Sequence, residues 1–425
     1  MARVKEQISR SRSGLWNLHL KRQGVGRVLL IFLLTRLTFY IAGLFGSWVL
    51  PQAAEENARV SIHGTLALAM GWRFDAVHYY SIAVGGYSFY YMNPMPGNNP
   101  GVLPAFFPLL PLLIRAMATV LHGFRAPLPL PISDADPSVL LAGVLVSHAL
   151  SLLAFWLLYR LAYEETDDEG TAPRAVLYTA IFPLAFYYAV PYTEALFLAA
   201  STGTFLAVRR GHWLQAGLWT AIASAARFAG VLLLPVLILE IALARRRGEI
   251  RSHTWPRALI GLLLAPAGFL LYTLYLSHSL GDPLAFLHAQ ANWNREQTFP
   301  LVALWRGISY AFHPSWSPNL GIYGRGVMNS VIVLGFLLVT VASLRQWRPS
   351  YVLYGVLLFT LSLVSPLRGA ATMQSVGRYV MVFFPVYFTL AHWGRRPSVN
   401  LTILLICLPL LGLFTALYVC WYFLG

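Results

Sequence analysis

Apolar runs close to the length of a bilayer span recur along the whole chain, and the polar positions fall between them. The runs cover 27–48, 137–160, 174–190, 194–209, 213–228, 229–245, 256–277, 322–344, 350–366, 378–393 and 398–422. At 1.5 Å per residue, about 20 helical residues cross a ~30 Å hydrocarbon core. A lipid-exposed segment must satisfy its own backbone, so the pattern predicts an all-α polytopic membrane protein with about eleven spans. One more apolar run, 104–122, is different. Pro104, Pro108 and Pro111 interrupt it and Arg115 sits in its middle, which disfavours a straight helix facing lipid.

Composition agrees with this class. Of 425 residues, 57% are hydrophobic and 11% are charged, against about 25% charged in a soluble domain. The net charge of +15 would suit nucleic acid, but the basic residues form short clusters between apolar runs, the pattern of cytoplasmic loops. Nucleic acid is therefore excluded as a partner. The charge is almost all arginine, since Lys5 and Lys21 are the only lysines. The two cysteines, Cys407 and Cys420, share the last apolar run and have no disulfide or zinc spacing.

Charge also sets the expected orientation. If 104–122 is re-entrant or interfacial, one side receives the N-terminal basic residues together with Arg160, Arg174, Arg209, Arg210, Arg245, Arg246, Arg247, Arg251, Arg257, Arg345, Arg348, Arg395 and Arg396. If it crosses, those thirteen arginines move to the other side. The positive-inside rule favours the first arrangement. The expected layout is a basic cytoplasmic N-terminus over 1–26, then one transmembrane domain over 27–425. Its first outer loop is 49–136 and its second is 278–321, with 367–377 also outside. The basic N-terminus is long for a cleaved signal, so 27–48 reads as a retained span. The acidic run Glu164–Glu169 falls inside and reads as a solvated loop rather than a metal cluster. There is no dinucleotide, P-loop, zincin or serine-elbow motif, and no internal repeat of the transporter kind.

The chemistry-bearing residues gather at the outer ends of the spans. Asp75 and His78 lie at i and i+3, one helical face, within Trp72-Arg73-Phe74-Asp75-Ala76-Val77-His78. Glu194 opens a span after Pro191-Tyr192-Thr193. Arg227 lies in a hairpin turn between two short spans, and Arg378 opens another span. Gln290, Trp293 and Arg295 lie in the second outer loop. Each has a plain structural reading. The arginines could snorkel, Glu194 could answer a helix dipole, His78 could be an interfacial polar residue, and the aromatics could form an interfacial belt. Together they suit displacement at a carbon bearing a phosphate leaving group. A carboxylate accepts the proton of the attacking hydroxyl, and two arginines stabilise the departing phosphate.

The run Phe74-Asp75-Ala76-Val77-His78-Tyr79-Tyr80-Ser81-Ile82-Ala83, then Gly86-Tyr87, then Ala105-Phe106-Phe107-Pro108-Leu109-Leu110-Pro111, resembles the first outer loop of the PIG-V mannosyltransferases. Pro191-Tyr192-Thr193-Glu194, Ala226-Arg227-Phe228-Ala229-Gly230, Gly281-Asp282-Pro283 with Gln290 and Trp293, and Arg378-Tyr379 with Phe384-Pro385 extend the resemblance, in order, to residue 385. Three features depart from the family pattern, one of them Phe228 and Ala229 in the Arg227 block, where the family often has other small or polar residues. Phe74 replaces its tryptophan, and an insert, Asn93–Pro100, lengthens the loop that would shape the acceptor entrance.

The resemblance implies a GT-C-type glycosyltransferase fold. It implies transfer of mannose, with inversion, from a polyprenyl-phosphate-mannose donor to a lipid or glycan acceptor on the extracytoplasmic face. Asp75 would be catalytic, with His78 and Glu194 beside it. Arg227, Arg378, Gln290, Trp293 and Tyr87 would bind substrate. No cofactor is required by this reading, and a divalent cation held by Asp75 with His78 and Glu194 stays open. The protein would be multi-pass, in the cytoplasmic membrane of a prokaryote or the endoplasmic reticulum of a eukaryote, with membrane lipids as its surroundings. The arginine-rich composition points to a prokaryotic source. The rival readings are a transporter or flippase of lipid-linked sugars and a noncatalytic membrane subunit.

Overall fold

The computed structural model describes residues 2–51, 53, 72–92, 100–122, 136–166, 168, 170–293, 295–313, 320–368 and 372–424. Most of the insert, 93–99, and much of the first outer loop, 54–71 and 123–135, lie outside the described residues. The described chain is helical, and its one bridge between extended segments pairs Arg295 with Leu367. In chain order the helices are α1 (Ala2–Val49), α2 (Asp75–Met92), α3 (Leu109–His122), α4 (Pro137–Glu165), α5 (Thr171–Ala180), α6 (Glu194–Arg209), α7 (Trp213–Ala226), α8 (Leu233–Arg246) and α9 (Trp255–Leu264). They continue with α10 (Ala267–Leu280), α11 (Ala285–His288), α12 (Pro300–Ala311), α13 (Leu320–Ser343), α14 (Pro349–Val364), α15 (Val376–Val380), α16 (Pro385–Trp393) and α17 (Pro397–Val419).

Among the described residues, six segments are long and apolar enough to cross a membrane: Gly24–Val49, Pro137–Glu165, Phe228–Arg246, Trp255–Leu280, Tyr323–Ser343 and Pro397–Val419. In α1 the exposed positions include Leu29, Leu30, Leu33, Leu34, Leu37, Ile41 and Phe45, while Thr35 and Arg36 are buried. The outward face is the more apolar one, which is the pattern of a helix in lipid rather than in water. Helices α7 and α9 touch through glycines. A Cβ on Gly217 would meet the Gly261 carbonyl oxygen at 2.0 Å, so a side chain there would force the pair apart.

Several runs that read as continuous spans are broken. The 174–190 run is helical only to Ala180. It then passes through a buried 3₁₀ turn, Ala185–Tyr188, to the start of α6. The 378–393 run divides into α15 and α16, with Phe383 and Phe384 between them. The run 104–122 is helical from Leu109. Helix α3, at 14 residues, is about 21 Å long, shorter than the hydrocarbon core. It buries Leu110, Ile114 and Ala118 and exposes Leu112 and Val120.

Two cores result. The larger joins α1, α4, α5, α6, α14 and α16 and includes a dense set of tyrosines and phenylalanines. The smaller joins Trp72, Tyr79, Tyr80, Phe106, Phe107, Leu110 and Ile114 with the ends of α4, α7 and α10. The described residues between Trp72 and Ala118 thus form a packed layer over the helix ends, and Asp75 sits at its edge.

The acidic run 164–169 is not a solvated loop. Glu164 pairs with Arg210, and Glu165 with Arg209 and Arg348. Asp168 pairs with Arg174 and with Arg395. Asp167 and Glu169 lie outside the described residues. Both cysteines are free, and the Cys420 thiol donates to the Gly46 carbonyl at 3.3 Å.

Candidate active site

Asp75 is the first residue of α2. Before it the chain makes a tight turn in which Phe74 takes a left-handed conformation, φ 51°. That is costly for a bulky residue and persists only where the surroundings impose it. Here the Phe74 ring packs against Tyr418, Trp421 and Phe423, with centroids 5.6, 5.4 and 5.0 Å away. Tyr192 completes the hold by accepting the Asp75 backbone N–H at 3.1 Å. Arg378, on α15, is aimed in a similar way. Ser375 before it is left-handed at φ 66°, and the Gly377 N–H donates to Asn329 Oδ1 at 3.0 Å. A Cβ on Gly377 would lie 2.6 Å from that oxygen, so the contact needs glycine.

These two elements bring Arg378 Nη1 to 2.7 Å from Asp75 Oδ2. Arg378 Nε lies 3.4 Å from Glu194 Oε1, and Arg227 Nη1 lies 3.7 Å from the same oxygen. Arg227 is extended, at φ −167°, between α7 and the 3₁₀ turn Phe228–Leu232. Gly230 allows that sharp return, because a Cβ there would meet the Ala223 carbonyl carbon at 2.1 Å. The four charged side chains therefore come from four distant parts of the chain. The Glu194 side chain is 2% exposed, Arg378 7%, Arg227 16% and Asp75 23%.

Tyrosines frame the cluster. The Arg378 guanidinium lies 5.2–5.4 Å from the ring centroids of Tyr187, Tyr192 and Tyr379, and Arg227 lies 5.3 Å from those of Phe197 and Tyr379. Such contacts add about 0.5–2 kcal/mol each as desolvation increases. The Tyr379 hydroxyl accepts from Arg378 Nη2 at 3.4 Å and from Arg295 Nη2 at 3.3 Å.

These groups border a cavity of about 720 Å³, within the size range of small-molecule sites. Asp75, Glu194, Arg227, Arg378, Gln290 and Trp293 line it, as expected. Tyr79, Tyr192, Phe106, Phe107, Arg295 and Tyr379 line it too. The sequence marks Arg295 as a loop residue only. The tyrosines and phenylalanines are hidden there among the many aromatics that suit an interfacial belt or simple packing.

Two expected residues stand elsewhere. His78 is not on the cavity wall. Because α2 starts at Asp75, the position stacked on it is Tyr79, at i+4. The His78 ring packs on Phe106 with centroids 4.6 Å apart, and its Nδ1 is buried without a hydrogen-bond partner. Burial pushes the imidazole below its usual range, with Asp75 opposing. Tyr87 is also off the wall. It is buried against Tyr272 and Tyr275 and donates to the Phe106 carbonyl at 2.5 Å. Its role is to hold the Phe-Phe-Pro segment in place. As for a cation, the Arg378 guanidinium occupies the space between Asp75 and Glu194, and among the described residues no three His, Cys, Asp or Glu side chains converge on a metal position.

Helix α6 connects the two ends of the molecule. Glu194 opens it at the cavity, and Arg209 closes this 16-residue helix, about 22 Å away. Arg209 enters a second charged cluster with Glu165, Glu240, Arg348, Ser350 and Tyr351. Arg174, Arg210 and Arg395, which pair with Asp168 and Glu164, belong to the same set of span-end arginines.

No protein-family model and no curated protein sequence matches this chain. Among solved structures it is similar to the Archaeoglobus fulgidus oligosaccharyltransferase in the apo form, with a TM-score of 0.49 and 13% identity over 93% of this chain and 56% of that one. The same enzyme tethered to an acceptor peptide gives 0.48 and 12%, over 93% and 55%. ArnT from Cupriavidus metallidurans, bound to undecaprenyl phosphate, gives 0.47 and 11%, over 94% and 77%. The chain spans about half the length of the oligosaccharyltransferase chains it matches. Likeness of this size carries no argument about activity or ligand.

Proposed function

We propose that this protein is a GT-C-type membrane glycosyltransferase that moves mannose from a polyprenyl-phosphate donor to a lipid or glycan acceptor. The observation that carries the reading is the ion cluster Asp75–Arg378–Glu194–Arg227 on the wall of a cavity of about 720 Å³, built over the ends of membrane helices. A chain that only had to stay folded in lipid would gain nothing from burying these charges around an open cavity. The resemblance of the surrounding motifs supplies the sugar and the carrier.

In this reading the acceptor hydroxyl attacks the anomeric carbon from the face opposite the phosphate. The new carbon–oxygen bond forms as the bond to the phosphate oxygen breaks, and the configuration inverts. The lipid phosphate leaves with the electron pair, and Asp75 takes the hydroxyl proton. Arg378 fixes the orientation of that carboxylate through Oδ2. Glu194 anchors Arg378 and Arg227. The preformed positive charge stabilises the leaving phosphate without reorganisation. The cavity faces the extracytoplasmic side, because the arginines that the positive-inside rule assigns to the cytoplasm gather at the far end of α6.

The test uses purified protein, labelled polyprenyl-phosphate mannose and a membrane-lipid extract that supplies acceptors. Consumption of the donor with transfer of label is expected. Relocation of intact donor across a vesicle membrane without transfer would identify a flippase instead, and a donor neither consumed nor moved would leave a noncatalytic subunit.

A further inference from the structure

The cavity wall carries three guanidinium groups, of Arg227, Arg295 and Arg378, against the two carboxylates of Asp75 and Glu194. Arg378 and Arg227 are engaged with those carboxylates. Arg295 has no carboxylate. The nearest in sequence, Glu296, is taken by Arg306 and by Arg368 at 3.8 Å. Arg295 donates from Nη1 to the Ser365 carbonyl at 2.7 Å and from Nη2 to the Tyr379 hydroxyl at 3.3 Å, and its Nε is buried without a hydrogen-bond partner. A positive charge in a half-enclosed site, with neutral partners and one unsatisfied donor, is unbalanced.

Arg295 is also held rigidly. Its backbone bridges Leu367, the Glu296 N–H donates to the Pro366 carbonyl at 3.0 Å, and the Thr298 N–H donates to the Val364 carbonyl at 3.0 Å. This clip closes the chain before α12 onto the end of α14, and it sets Arg295 and Gln297 on the lip of the cavity.

We infer that Arg295 is the residue that takes the anionic phosphate of the lipid carrier, while Arg378 serves to hold Asp75. The inference rests on the proposed use of a lipid-phosphate donor. It changes the expectation that Arg227 and Arg378 make that contact. Arg378 is already paired with two carboxylates, by a hydrogen bond from Nη1 to Asp75 Oδ2 and by the 3.4 Å approach of Nε to Glu194, and an incoming phosphate would have to displace one of them. Arg295 would exchange only neutral acceptors, and its fork matches phosphate oxygens. Because the clip anchors it outside the Asp75 cluster, the phosphate would bind at the lip and the sugar would reach inward to Asp75.

The test measures binding of polyprenyl phosphate, and of the uncharged polyprenol of the same chain length, to the full-length protein in nanodiscs. Wild type should bind the phosphate more tightly than the polyprenol. Arg295→Gln should lose about 10- to 100-fold in phosphate affinity, the size of a charged hydrogen-bonding group, with polyprenol binding unchanged. Arg378→Gln should keep most of the preference. A phosphate preference that survives Arg295→Gln, or that disappears in Arg378→Gln alone, overturns the assignment and leaves the lipid-phosphate reading standing. No preference in wild type overturns both. Should Arg295→Gln fail to fold, Arg295→Lys keeps the charge but not the fork. A preference equal to wild type in that variant overturns the role given to the fork.

Discussion

Helix α6 carries the same chemistry at both ends, and the two ends are finished differently. At Arg209 the charges are saturated. Glu165 is bonded by Arg209, Arg348 and Tyr351, and Glu240 by Arg209 and Ser350. At Glu194 they are not. Glu194 Oε2, Arg378 Nε, Arg227 Nη1 and Arg295 Nε are all buried without a hydrogen bond, and the two arginines paired with Glu194 stand off at 3.4 and 3.7 Å. A buried polar group left unmatched costs about 1–3 kcal/mol, so a folded protein tolerates several only where something else is gained. The saturated end ties α4, α6, α8 and α14 together. Under the proposed function, the unsaturated end takes a ligand that completes it.

The sharpest way to break this comparison is at Asp75. Asp75→Asn keeps the size and removes the basic oxygen, so transfer of labelled mannose should fall about 10²- to 10⁴-fold with a near-normal melting temperature. Near wild-type transfer would remove Asp75 from the chemistry. The converse holds at the other end. Arg209→Met strands Glu165 and Glu240, and breaking one side of a buried pair costs about 3–5 kcal/mol. Thermal unfolding should drop strongly, while the preference for polyprenyl phosphate over polyprenol persists in the folded fraction. A variant with normal stability would show that this end is not the structural one.

A smaller effect is expected at Arg227. Arg227→Lys keeps a charge but loses the flat guanidinium held between Phe197 and Tyr379. Turnover should fall about 10-fold, the size of one or two such contacts, and full activity in steady-state kinetics would show that charge alone suffices. The smallest effect is at Asp168. The Thr171 hydroxyl and the arginines beside it hold this carboxyl down at about 2. Its folded value is depressed, so its contribution is present above the usual carboxylate range and is lost as pH falls through about 2. The side chain is 30% exposed, so Asp168→Asn should cost less than about 1 kcal/mol at pH 7 and nothing at pH below 2. A larger loss in denaturation at pH 7 would place Asp168 with the buried pairs.

Asp75, Glu194, Arg227 and Arg378 are legible in the sequence, because a charge at the end of an apolar run is expensive and so stands out. Arg295 is visible there only as a loop residue. Tyr79, Tyr192 and Tyr379 are masked by the common reading of aromatics near a membrane surface. The misplacement of His78 comes from one helix boundary, since α2 starts at Asp75 and stacks Tyr79 on it. Tyr87 sits in a shared motif, but it holds the segment next to the site rather than lining it. The acidic run reads as solvated because its arginine partners, Arg174 apart, lie 44 to 227 positions away.

The sequence by itself determined that this is a helical membrane protein, where its apolar runs and basic clusters fall, and which few charges need an explanation. Periodicity, length and charge are local quantities and survive without knowledge of the fold. Only the tertiary structure decided where the apolar runs break, which of the charged residues meet, which are already satisfied and which still lack a partner. Those outcomes depend on contacts between segments far apart in the chain, such as Asp75 and Arg378, 303 residues apart, and on backbone turns at Phe74 and Ser375 that neither residue favours alone.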